Sequence, residues 1–88
     1  MNPDWRPVRA MGTFTRRSPD GMLIETYHDG YEVNETGAFI WAMVGGGASV
    51  AEIAARLGEH YSLDPGTATQ VVQDFLAELV ERGFVPRA

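Results

Sequence analysis

The sequence contains no cysteine and no lysine, and only two histidines among its 88 residues. Without a thiol there is no disulfide, no thiolate metal site and no cysteine nucleophile. Without lysine, Gly45-Gly46-Gly47 cannot be a P-loop, which needs Lys-Ser/Thr after its glycines. His28 and His60 have no second ligand at metal spacing such as His-x-x-x-His and read as surface residues. Long apolar runs are missing too. The longest, Ala38 to Val44, spans seven residues and ends in three glycines, far short of a membrane crossing. Met1-Asn2-Pro3-Asp4-Trp5-Arg6-Pro7 places an acid and two prolines where a signal peptide has basic and then apolar residues. The expectation is a soluble, cytoplasmic chain that makes no membrane contact.

Positive charge is scarce. Seven arginines face five Asp and seven Glu, for a net charge of −5. A nucleic-acid partner needs a basic face to displace counterions from phosphates. Here Arg6, Arg9, Arg16, Arg17, Arg56, Arg82 and Arg87 are scattered, with only Arg16-Arg17 adjacent. Nucleic acid is therefore disfavoured, and a neutral or basic partner is mildly favoured.

What the sequence does contain is ordered patterning, enough for one domain over residues 1–88 with residues 1–7 as a flexible N-terminal arm. Val8 to Arg17 has strand composition and is closed by Ser18-Pro19-Asp20-Gly21, a turn signal. Met22 to His28 predicts a second strand, and Asp29-Gly30 predicts a type I′ hairpin turn. Tyr31 to Asn34 is the return strand, with Tyr31 and Val33 on one face and Glu32 and Asn34 on the other. Asn34 or Thr36 caps an almost wholly apolar helix reaching about Val44. Ser49 and Glu52 form a capping box for a second helix, with Val50, Ile53, Ala54, Leu57 and Tyr61 in its stripe. Asp64-Pro65 opens a third helix whose stripe is Ala68, Val71, Val72, Phe75, Leu76, Leu79 and Val80. Gly83 ends it, and Phe84-Val85 should return to the core. The fold class is α+β: a three-stranded antiparallel sheet followed by three helices, winged-helix-like.

No catalytic constellation emerges. The expected hairpin sets Glu25 and Glu32 near each other, and Asp74 and Glu78 are four apart on the last helix. A general-acid pair needs an apolar surround to raise one carboxyl group's pKa, and neither pair has one. Trp41 belongs to the core, whereas Trp5 in its Pro-flanked arm either folds back or meets a partner. The expectation is no enzyme, no metal and no cofactor. An open sheet edge, by contrast, exposes unpaired amides and carbonyls to which another chain can add as a strand. With Tyr31 to Asn34 as that edge and the last helix as its wall, the two form a groove.

The same residues carry a family resemblance. Tyr31-Glu32-Val33-Asn34-Glu35-Thr36-Gly37-Ala38-Phe39-Ile40-Trp41 resembles the hydrophobic-Asn-x-Thr/Ser-Gly/Ala pattern of the PqqD-like precursor-peptide recognition elements. Gly47 to Ile53 resembles that family's second-helix start, and Asp74 to Val85 its Asp-x-x-x-Phe-Leu ending, here with Phe75-Leu76 as the Phe-Leu. The match covers roughly residues 20 to 85, and it is the order and spacing of the motifs together that make it specific. It implies that the leader segment of a ribosomally made precursor peptide adds beside the third strand, against the third helix. Mapped here, the peptide-binding residues are Tyr31, Glu32, Val33 and Asn34 with Val71, Asp74, Phe75 and Glu78. It further implies a separate leader peptidase or modifying enzyme as second partner, and a monomer or weak dimer. The Tyr61 to Pro65 connection, Gly37 and Trp41 look most like the stand-alone B proteins of lasso-peptide biosynthesis. In lasso leaders an aromatic and a proline are the expected anchors. The alternatives are a peptide chaperone in pyrroloquinoline quinone biosynthesis, a winged-helix DNA-binding regulator, and a small dimerisation module.

Overall fold

A computed structural model describes residues 1–87. Its elements run β1 (Phe14–Ser18), β2 (Gly21–Glu25), β3 (Gly30–Val33), α1 (Glu35–Met43), α2 (Val50–Tyr61) and α3 (Pro65–Glu81). The strands form one antiparallel sheet in the order β1-β2-β3, so the α+β reading stands.

The helix ends follow the local chemistry. The Asn34 side chain accepts from the Gly37 amide, and Asp64 accepts from the Thr67 amide with Pro65 in the first turn. Ser49 and Glu52 make the complete capping box, and the Ser49 bonds hold the Glu52 carboxyl group below its usual range. Gly83, at φ +84°, turns the chain off α3 so that the Phe84 amide donates to the Leu79 carbonyl. Phe84 and Val85 are thereby buried. The core joins Ile24 and Val33 of the sheet to Ile40 and Trp41 of α1, Ile53 and Leu57 of α2, and Val72, Leu76 and Leu79 of α3.

Three expectations need correction. The first strand begins at Phe14, not near Val8; residues 8–13 lie outside the sheet, with the Ala10 amide donating to the Phe84 carbonyl. Asp29-Gly30 is not a two-residue turn. Gly30 is a strand residue opposite Glu25, and the loop is closed by the Thr26 amide donating to the Asp29 carbonyl. This register sets Ile24 opposite Tyr31 and Met22 opposite Val33. Those apolar pairs outweigh the local preference of Asp-Gly for the tighter turn. Glu25 and Glu32 are not opposed either: Glu32 faces Leu23, and Glu25 pairs with Arg16 at 2.9 Å.

Residues 1–7, expected as a flexible arm, lie against the helices. The Pro3 and Trp5 carbonyls accept from Ala51 and Val50, two amides that the first turn of α2 cannot satisfy itself. Pro7 is buried, and Trp5 is folded back, half-buried against the core. Arg9 donates to the Trp41 carbonyl at 2.7 Å and lies 4.4 Å from that ring's centroid; burial lowers its pKa.

Candidate functional site

β3 is an edge strand, and the direction of its free groups follows from the register. Thr26 and Asp29 are a hydrogen-bonded pair, and such pairs alternate along an antiparallel ladder. Tyr31 and Val33 therefore bond inward to β2, while Gly30 and Glu32 turn their amides and carbonyls outward. The Gly30 amide is already taken, donating to Asp29 Oδ1 at 2.9 Å. That leaves the Glu32 amide and carbonyl and the Gly30 carbonyl for an added strand.

On the helical side of this edge is a cleft of about 480 Å³. Tyr31, Glu32, Val33 and Asn34 form one wall, and Val71 and Phe75 of α3 the other. Thr36, Gly37 and Ile40 of α1 complete the lining. Six of the eight residues proposed from sequence are thus brought together. The other two carboxylates are not in the lining. Asp74 is exposed on α3 and accepts from the Gln70 side chain at 2.8 Å. Glu78 pairs with Arg82 at 2.7 Å, and that guanidinium lies 4.1 Å from the centroid of the Tyr31 ring. Glu78 is thus linked to the cleft only indirectly, through Arg82 and Tyr31.

Sequence reasoning missed Thr36, Gly37 and Ile40. Gly37 carried a signal, because a glycine inside an apolar helix gives up about 1 kcal/mol of helix propensity and marks a close approach. A Cβ there would lie 3.0 Å from Val33 Cβ and 3.0 Å from Phe75 Cε1. Gly37→Ala should cost up to about 2 kcal/mol and lower the melting temperature accordingly, since overpacking of about 1–3 kcal/mol is offset by only about 1 kcal/mol of helix propensity. It should still push the Phe75 ring into the cleft and weaken peptide binding several-fold, measured by calorimetry.

An open strand edge beside an apolar helix wall places the domain in the three-strand, three-helix class. Within that class the chain belongs to the PqqD family, described as Coenzyme PQQ synthesis protein D, whose model matches residues 21–85. Among solved structures, "Lasso peptide synthetase B1 complexed with the leader peptide" superposes with a TM-score of 0.85 at 19% identity, covering 94% of this chain and 100% of that one. "TbiB1 in Complex with the TbiA(beta) Leader Peptide" gives 0.82 at 18% identity, covering 92% and 96%. The PqqD truncation of Methylobacterium extorquens PqqCD, described as a functional and stand-alone recognition element for ribosomally synthesised and post-translationally modified peptides, gives 0.78 at 20% identity, covering 99% and 100%. At these identities the likeness is one of fold. No curated protein matches the chain.

Proposed function

We propose that this protein captures the leader segment of a ribosomally made precursor peptide as a fourth strand on β3 and presents it to a separate peptidase or modifying enzyme. The observation that carries the reading is the outward-facing Glu32 backbone above an open cleft whose far wall is the apolar pair Val71 and Phe75. Backbone bonds supply register, and guest side chains opposite Tyr31 and Val33 enter the cleft between β3 and α3. The domain performs no chemistry itself. It raises the effective concentration of the attached core peptide near the enzyme that does. On this reading it works in the cytoplasm, where its peptide is translated. Its closer superposition on Lasso peptide synthetase B1 than on the PqqD truncation supports the lasso type.

Phe75→Glu tests this directly. Phe75 is half-buried and faces the cleft, so the variant should fold. A charge on the greasy wall should cut affinity for a synthetic leader at least tenfold, about 1.4 kcal/mol. The probe is a synthetic leader from a short precursor reading frame sought among the neighbouring genes, and affinity is read by titration calorimetry. Unchanged affinity in a folded Phe75→Glu variant would place the peptide elsewhere.

A further inference from the structure

The sheet has a second open edge, and its chemistry is opposite to that of the first. Residues 5–19 hold four of the seven arginines and no Asp or Glu, whereas the rest of the chain sets three arginines against twelve acids. Arg6 pairs with Glu52, and Arg9 is laid on Trp41. Arg16 and Arg17 remain on β1, where Phe14, Thr15, Arg16 and Arg17 are all exposed. Arg16 shares Glu25; Arg17 has no ionic partner among the described residues.

The register again gives direction. With Met22 and Ile24 bonded to β3, the alternate residues Leu23 and Glu25 bond to Arg16 and Phe14. Thr15 and Arg17 consequently turn their amides and carbonyls outward. Their side chains share a face with Ile24 and Met22, and they line a cleft of about 620 Å³ with two acids, Asp20 of the turn and Glu35 of α1, and with Ala38 of α1. At the start of the strand, Phe14 and Tyr27 are 49% and 86% exposed and meet edge to face at 5.8 Å. A bare edge of this kind invites a strand. A second copy paired two-fold about Arg16 would set that arginine against its own counterpart.

We propose that β1 is a docking edge for an acidic, extended segment of a separate protein, the enzyme that receives the captured peptide. Charge complementarity selects the occupant: β1 is a basic strip on a chain that elsewhere repels acidic partners. Its place at the opposite margin from β3 lets enzyme and peptide be held by one sheet at the same time. The leader-capture reading enters only in the choice of partner.

The test uses the whole chain, labelled with nitrogen-15, and two capped hexapeptides, Glu-Val-Glu-Val-Asp-Val and Lys-Val-Lys-Val-Lys-Val. The acidic probe should shift the amides of Thr15 and Arg17 and slow their hydrogen exchange, leaving Glu32 unmoved. Arg16→Glu combined with Arg17→Glu should weaken it at least fivefold, and both side chains are exposed enough for the variant to fold. Equal response to both probes, no response at Thr15 and Arg17, or protection at Glu32 instead would overturn the proposal. The synthetic leader is titrated in parallel samples. Its failure alone strikes the capture reading, and failure of the acidic probe alone strikes the docking edge.

Discussion

Glu32→Pro should leave the domain folded and reduce peptide affinity by about thirtyfold or more. The substitution removes one amide, and the ladder decides which one matters. At Glu32 the amide faces away from β2, so the sheet's own hydrogen bonds survive. Proline is accepted on edge strands where the missing N–H would have faced solvent. A guest strand, however, loses a donor worth about 0.5–1.5 kcal/mol net and meets the pyrrolidine ring in its path. A loss of about 2 kcal/mol corresponds to roughly thirtyfold in affinity. Two controls sharpen the result. Glu32→Ala keeps the amide and should cost no more than an exposed ion pair, about 0–1 kcal/mol. Tyr31→Pro removes an inward bond and should unfold the hairpin. If Glu32→Pro binds the leader as the unaltered protein does, strand addition at β3 is wrong whatever else the cleft does.

The three helix starts were legible because their determinants are local: a polar side chain and an amide three residues on, as at Asn34, Ser49 and Asp64. The α3 stripe was legible because burial repeats with the helical period, and Ala68, Val72, Leu76 and Leu79 are indeed its buried members. The α3 wall of the cleft came from that same stripe, since Val71 and Phe75 flank it and are half-buried. What stayed hidden depends on partners far along the chain. Nothing near Pro3 or Trp5 says that their carbonyls will complete the start of α2, more than 40 residues on. The turn at Asp29-Gly30 failed for the same reason: a local preference lost to Ile24–Tyr31 and Met22–Val33 pairing. The charge asymmetry was in plain sight, but the arginines looked scattered until β1 gathered two of them on one edge.

Gly21→Ala should be the most damaging small substitution in the molecule, and its effect should reach the site. A methyl group at Gly21 would run into the Val33 carbonyl oxygen, with the Val33 carbonyl carbon at 3.3 Å and Asn34 Cα at 3.4 Å. That backbone has nowhere to go. The Val33 side chain is buried, and the next residue, Asn34, caps α1. Relief therefore means moving the end of β3 or opening the β1–β2 turn. A cost of at least about 3 kcal/mol is expected, in the range reserved for special backbone positions and overpacking. For a domain of this size that lowers the melting temperature by about 12 °C or more. Gly12→Ala is the control. It too has positive φ, +79°, but open space around the added carbon, so strain acts there without a clash and about 1 kcal/mol is expected. Peptide binding separates the two further: at a temperature where both variants are folded, Gly12→Ala should bind the leader normally and Gly21→Ala should not. Equal melting and equal binding would mean that the close approach of Gly21 to Val33 does not hold β3 in place, and the geometry of the cleft would lose its support.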